Sequence, residues 1–353
     1  GGTADLSAGS SYGGSTAFST ATDTVSLTVS SLNDAPTTSS NLSLSAFTED
    51  QTTSTASWTQ LSASVFGYSD ATDNQTSGNT SNIIGGDTST SFTYIAVVGS
   101  SSYTSGQGTW QISKSNTLPA SSSNWVDIPT SGLSNTAALI FRSDAYVRFV
   151  PATNYFGTPG TLTVRLADAN VTIASSNVGD GATHDLTNAT FGLVGATGSW
   201  SASTQTIGST VSSVNDAPTA TATTLTATTE DNVNPAGATI STLGFGYSDA
   251  TDNQTSVSGG GTTATAFGGI AIVGNAANAG TQGVWQYNDN AGSGWVTIAS
   301  AGSAPTDATA ILLPTTASLR FLPNVTDFNG APGALTVRVS DATVAFSGST
   351  DIS

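Results

Sequence analysis

Cysteine and methionine are both absent from the 353 residues, and lysine occurs once, at Lys114. Without cysteine, neither disulfides nor a thiolate metal site can staple the fold, and the redox compartment stays open. Without methionine there is no translation start, so a processed or excised piece of something longer is expected. Basic residues are scarce: six Lys plus Arg stand against 23 Asp plus Glu, a net charge of −17. Nucleic acid and anionic membrane surfaces both require a basic footprint, so neither is an expected partner. Small cations are the natural counter-charge. No apolar run approaches the roughly 18–20 residues of a membrane span, and no signal peptide is visible.

What remains is a chain of 38 glycines, much Ser and Thr, and 37% hydrophobic residues, a composition of short strands and many turns. Its length suffices for two or three domains, each with a core of its own. Self-similarity organises it. SSLNDAPT at 30–37 returns as SSVNDAPT at 212–219, TED at 48–50 returns at 229–231, and FGYSDATDNQTS stands unchanged at 66–77 and 245–256. IAVVGSSSYTSGQGTWQ (95–111) matches IAIVGNAANAGTQGVWQ (270–286), NWVDI (124–128) matches GWVTI (294–298), and YVRFVPATNYFGTPGTLTVRLADA (146–169) matches SLRFLPNVTDFNGAPGALTVRVSDA (318–342). The period is about 175–182 residues.

The frame of the duplication is displaced. GGTADL at 1–6 aligns with GATHDL at 181–186, and Ser353 aligns with Asp180. Residues 1–32 are therefore expected to be closing strands of a preceding repeat or of a neighbouring subunit's sandwich. Residues 33–214 are expected to form a complete repeat, and residues 215–353 a second repeat lacking its closing strands. Two arrangements satisfy this: a window of a continuous tandem protein, or separate subunits joined head to tail as residues 1–32 complete the next sandwich by strand addition. Such a heterologous contact does not close and propagates into a fibre.

Alternation marks the strands. Leu335, Val337 and Val339 point one way and Thr336 and Arg338 the other. Leu319 and Phe321 flank Arg320, and Tyr146, Val147 and Phe149 surround Arg148, each run ending at a proline (Pro323, Pro151) that cannot donate to a ladder. DFNGAPG and NYFGTPG supply turns, and residues 23–29 and 203–211 read as the last strand before each NDAP junction. Short alternating strands with frequent turns predict an all-β fold of antiparallel β-sandwiches.

Ten of the 23 carboxylates sit in three short motifs: Asp34, Glu49, Asp50, Asp70 and Asp73, then Asp216, Glu230, Asp231, Asp249 and Asp252. Asn33, Asn74, Asn215 and Asn253 stand beside them. Calcium takes about six to eight hard oxygen ligands and tolerates irregular geometry, which an Asp-x-x-Asp-Asn loop with Thr and backbone carbonyls can supply. Left without a cation, such carboxylates repel one another. The same residue types also form ordinary turns. Recurrence of all three motifs together favours the metal over the turn.

These residues resemble the calcium-dependent, cadherin-like and immunoglobulin-like repeats of giant bacterial surface adhesins, including those of the RTX export route. The likeness rests on V/L-N-D-A-P-T at each junction, the T-E-D after it, the D-x-x-D-N loop and F-N-G-x-P-G-x-L-T-V-R-x-S-D near the repeat's end, and covers essentially the whole chain. It implies tandem immunoglobulin- or cadherin-like sandwiches with Greek-key-type sheets and calcium held between successive repeats. Asn215 and Asp216 would be linker ligands, Glu49 or Asp50 would come from the first repeat, and Asp249 and Asp252 from the second. Asn33, Asp34, Asp70 and Asp73 would serve one junction earlier. Asn74 and Asn253 complete the two D-x-x-D-N loops, and Glu230 and Asp231 are the second-copy counterparts of Glu49 and Asp50. Asp168 and Asp341 are further ligand candidates. Each repeat is longer than an immunoglobulin domain of roughly 100 residues, the glycine-rich RTX nonapeptide is missing, and the insertion carrying TWQ and the second tryptophan has no counterpart in the cadherin comparison.

The pairs Trp110/Trp125 and Trp285/Trp295 are expected to pack in cores rather than stack on sugar. Arg148, Arg165, Arg320 and Arg338 are expected to face outward and meet carboxylates across strands. His184, the single histidine, is matched by Ala4, which excludes a shared histidine-based mechanism; carboxylates placed at junctions argue for metal over glycoside hydrolysis. The expected function is a non-catalytic structural repeat of an extracellular, bacterial filament or giant adhesin, with other copies of itself as partners. A glycan- or receptor-binding module and a surface-layer lattice protein are the alternatives.

Overall fold

A computed structural model describes the chain except for residues 9–10, 31, 52–57, 74–88, 117–123, 344–345, 347–348 and 351–353. The fold is all-β. In the first copy the strands are β1 (Leu42–Ser43), β2 (Phe47–Thr48), β3 (Thr59–Gln60), β4 (Tyr94–Ser101), β5 (Gly108–Ser113), β6 (Trp125–Asp127), β7 (Ala138–Arg142), β8 (Tyr146–Pro151), β9 (Thr161–Ala167), β10 (Thr183–His184), β11 (Gln205–Gly208) and β12 (Val211–Ser212). One sheet runs β1-β11-β9-β4-β7-β10, a second runs β3-β8-β5-β6, and β12 pairs with β2. The second copy has β13 (Ala238–Thr239), β14 (Phe267–Asn275), β15 (Val284–Asn288), β16 (Val296–Thr297), β17 (Ala310–Pro314), β18 (Ser318–Leu322), β19 (Leu335–Asp341) and β20 (Ser349–Thr350). Its sheets run β19-β14-β17-β20 and β13-β18-β15-β16.

Alternation decides which residues meet between the sheets. Ile95 and Val97 of β4, Trp110 and Ile112 of β5, Phe149 of β8 and Val164 of β9 enter one buried cluster. The intervening Ala96 and Val98 enter a second cluster with Ile140, Leu186 and Trp200 on the other side of the same sheet. A strand covered on both faces reads as a continuous apolar run, which is why the stretch at 95–98 does not alternate.

Strand by strand, the four-stranded β19-β14-β17-β20 sheet matches β9-β4-β7-β10, and among the described residues no strand pairs with the other edge of β19. The consequence is visible in burial. Leu162, Val164 and Leu166 of β9 are fully buried, whereas Leu335, Val337 and Val339 of β19 are only partly covered. In place of β1 the second copy has residues 220–229, which carry no regular secondary structure and line a groove. Residues 11–30 carry the sequence counterparts of β11 and β12 yet form no strand and lie in solvent.

The arginines correct one expectation. Arg148 and Arg320 are buried, and each Nε donates to a glutamine, Gln111 Oε1 or Gln286 Oε1, at 2.8 Å. They do lie on the outer face, but a tryptophan ring, Trp125 or Trp295, lies over each guanidinium at 4.0 or 4.1 Å and covers it. Arg165 donates to Asn135 and to the Ser201 and Ala202 carbonyls, and Arg338 meets Asp307 at 2.7 Å. No helix among the described residues is long and apolar enough to cross a membrane.

Candidate cation-binding junctions

Each junction is built by the same local steps. A four-residue helix, Ala63–Phe66 or Ile240–Leu243, leads into the F-G-Y-S-D turn. Gly67 (φ 57°) and Gly246 (φ 52°) sit in the left-handed region at that turn. A Cβ on either would strike the linker, meeting Ser39 Oγ at 2.2 Å or Thr221 Oγ1 at 1.9 Å. The NDAPT linker then docks along the turn through a two-way backbone bridge: Thr37 with Ser69 at 2.7 and 2.9 Å, Thr219 with Ser248 at 2.8 and 3.0 Å. Pro36 and Pro218 hold the linker extended.

This docking fixes the acids. Asp34 N donates to Asp73 Oδ1 at 2.8 Å, and Asp216 N donates to Asp252 Oδ1 at 3.1 Å. Asn33 Nδ2 donates to Asp168 Oδ2, and Asn215 Nδ2 to Asp341 Oδ2, both at 3.1 Å. Asp70 Oδ2 accepts from Thr90 N, and Asp249 Oδ2 from Thr265 N, both at 2.6 Å. The two junctions thus repeat one hydrogen-bond scheme 173–182 residues apart. Thr90 and Thr265 are the members of this hydrogen-bond scheme that the sequence motifs do not include. The signal was a shared Thr-x-Phe just before IAVVG and IAIVG, whose Phe92 and Phe267 stack on Tyr68 and Tyr247 at 5.5 and 5.4 Å.

Between the first and second repeats a further acid arrives. Glu49 is 2% exposed, and its Oε1 accepts from Val214 N. Burial raises its pKa above the ordinary glutamate value, and repulsion from Asp216, Asp50 and Asp252 adds to that. Asp216 is raised likewise, by burial first and then by Asp252, Asp50 and Asp249. These acids of both repeats and the linker therefore share one small volume. Several present a buried oxygen without a donor: Glu49 Oε2, Asp216 Oδ2, Asp249 Oδ1 and Asp252 Oδ2, with Asp70 Oδ1 doing so at the earlier junction. A buried charged oxygen left unpaired costs upward of ~1–3 kcal/mol. A cation among them would remove that cost, so these side chains fit calcium in donor type and in need. Among the described residues, no three His, Cys, Asp or Glu side chains stand close enough together to hold a metal ion as placed, so binding would require these carboxylates to draw closer.

Asp168 and Asp341 hold the linker asparagines. Burial, aided by the Asp70 charge, raises Asp168; for Asp341, burial pushes upward but donors from Thr343 and Asn215 outweigh it and leave the group below the ordinary range. Asp50 is exposed at the cluster's rim. Asn253 is turned away, its Oδ1 accepting from Thr255 N at 3.2 Å and Thr255 Oγ1 at 2.6 Å. Glu230 and Asp231 are exposed and join neither cluster; Glu230 Oε2 accepts only a long 3.5 Å bond from Asn329 among the described contacts. Asn74 lies outside the described residues.

A second contact also joins the repeats. Thr158 N donates to Gly259 O at 2.9 Å, Gly261 N to Phe156 O at 3.1 Å and Gln107 Nε2 to Ser258 O at 2.6 Å. Gly157 permits this approach, since a Cβ there would sit 2.1 Å from Gly259 O. No protein-family model matches the chain, and no curated protein is significantly similar to it.

Proposed function

We propose that the chain is a non-catalytic structural repeat unit of an extracellular bacterial filament or giant adhesin, with calcium stiffening the junction between successive sandwiches. The observation that carries this reading is the set of buried, donorless carboxylate oxygens gathered from the first repeat, the linker and the second repeat. Glu49, Asp216, Asp249 and Asp252 would hold the ion, with Asp50 at the rim. Bound calcium supplies a positive charge that cancels their repulsion and ties three segments together, so its binding energy adds to repeat docking. With no cysteine and one lysine, the chain has few other means of rigidifying a tandem.

Tryptophan placement favours this reading over a glycan-binding module. Trp110 is fully buried with Nε1 donating to Gly160 O at 2.8 Å, and Trp285 makes the matching bond to Gly333 O at 2.8 Å. Trp125 packs beneath Arg148, so neither Trp110 nor Trp125 offers a free face to a sugar. Calorimetric titration of calcium into the full chain tests the proposal. Binding that loses one class of site in the D249N/D252N double variant is the expected result; no calcium heat in the parent chain would overturn it.

A further inference from the structure

We propose that residues 254–261 of the second repeat form a plug seated on the first repeat, and that this plug holds the two repeats in one orientation whether or not the acid junction carries a cation. The seat is the turn at 156–158 together with Gly106 and Gln107. Plug and seat both lie inside the chain, within the described residues.

The backbone makes the first part of the contact. On one side Gly157 exchanges two hydrogen bonds with Val211, at 2.9 and 2.8 Å. On its other side it is bridged to Gly260 through the bonds from Thr158 N to Gly259 O and from Gly261 N to Phe156 O. Val211 in turn pairs with Phe47 where β12 meets β2. One ladder therefore runs Phe47, Val211, Gly157, Gly260, and its last rung crosses between repeats. A run without side chains is what lets the two backbones meet, since a Cβ on Gly259 would lie 2.2 Å from Thr158 O.

Side chains make the second part. Val257 packs against the buried cluster of the first repeat and covers Gly106, where a Cβ would stand 3.4 Å from Val257 Cγ1. Gln107 is 1% exposed, and its Oε1 accepts from Thr104 N at 2.9 Å and from Gly160 N at 3.2 Å. Held by two amides of its own repeat, it donates its Nε2–H to Ser258 O of the other at 2.6 Å.

Every group that crosses between repeats in this contact is uncharged, although the loop springs from the acid junction: Thr263 N and Ala264 N close its base on the Asp252 carbonyl at 2.9 and 3.2 Å. Neutral hydrogen bonds and apolar contact do not depend on whether nearby carboxylates are neutralised. On the acid side the linker is held by amides as well, Asp216 N to Asp252 Oδ1 and Val214 N to Glu49 Oε1. Two separated attachments fix an angle that one would leave free to swivel, so a cation would strengthen a joint whose direction is already set. The identical stretches 66–77 and 245–256 end one residue before Val257, where the first copy carries Gly78, so the plug residue is not among what the copies share. The proposal does not rest on the cation reading above.

Small-angle scattering of the full chain in calcium and in chelator tests it, with Val257→Gly as the variant, which installs the first copy's residue and changes no charge. The parent's distance distribution is expected to superimpose in the two buffers. V257G is expected to broaden and lengthen in chelator and to contract toward the parent when calcium is added. Gly259→Ala, whose Cβ strikes Thr158 O, is expected to do the same through a different contact, both variants keeping the parent's circular dichroism. A parent that broadens in chelator as far as the variants, or variants that superimpose on the parent there, would overturn the proposal. Variants that loosen in chelator and stay loose in calcium uphold the plug and count against the cation reading.

Discussion

Asp252 is fully buried and faces Asp216 and Glu49, so a single proton-sized change there acts oppositely with and without cation. Asp252→Asn is expected to lower the melting temperature in calcium by several degrees, because a ligand bound at about a hundredfold its Kd contributes ~2.7 kcal/mol. In chelator the same variant is expected to melt higher than the parent, since a repelling charge is gone. Two calorimetric scans read both signs. Trp110→Ala removes a ring fully enclosed against Phe149, whose centroid lies 5.0 Å away, and is expected to cost ~3–5 kcal/mol, read by denaturant unfolding. At the surface, Arg338 holds the Asp307 carboxyl below its ordinary value. A lowered folded-state value contributes stability that is present above the unfolded pKa and lost as pH falls through the folded one. Asp307→Asn should therefore melt below the parent at neutral pH and together with it in strong acid, where the parent's carboxyl is also neutral.

Among the elements, the glycine-on-glycine contact of residues 157 and 259 and the acid junction hold the repeats together by different means. Gly157→Ala keeps every proposed ligand but drives a Cβ against the Gly259 carbonyl. It is expected to loosen the repeats, read as a broader small-angle scattering distance distribution, while calcium still raises the melting temperature. Much of this architecture was legible in the sequence, and the gaps have physical causes. The alternation of 335–339 marked β19, and the SSLNDAPT and SSVNDAPT frames marked the uncovered strand. The burial of Arg148 and Arg320 was hidden because alternation tells which face a residue takes, not that a tryptophan from elsewhere in the chain will cover that face. Thr90 and Thr265 were lost among many threonines, since only the fold sets them against Asp70 and Asp249. Asn253 shows the reverse case: a motif position whose side chain satisfies its own turn, as Asn commonly does.

Among the described residues, the first repeat carries β11 and β1 beside β9 in a six-stranded sheet, and the second repeat pairs four strands in the matching sheet. Part of the molecule's charge of −17 lies where segments meet, so what neutralises the acids there bears on how firmly the repeats dock. On the proposed function, calcium at the junctions would set the stiffness of the tandem. The claim on which the rest depends is that a divalent cation belongs among Glu49, Asp216, Asp249 and Asp252. A thermal melt of the full chain in calcium and again in chelator tests it most directly. The account predicts a transition several degrees higher in calcium, restored on adding calcium back after chelation; superimposable curves would contradict it.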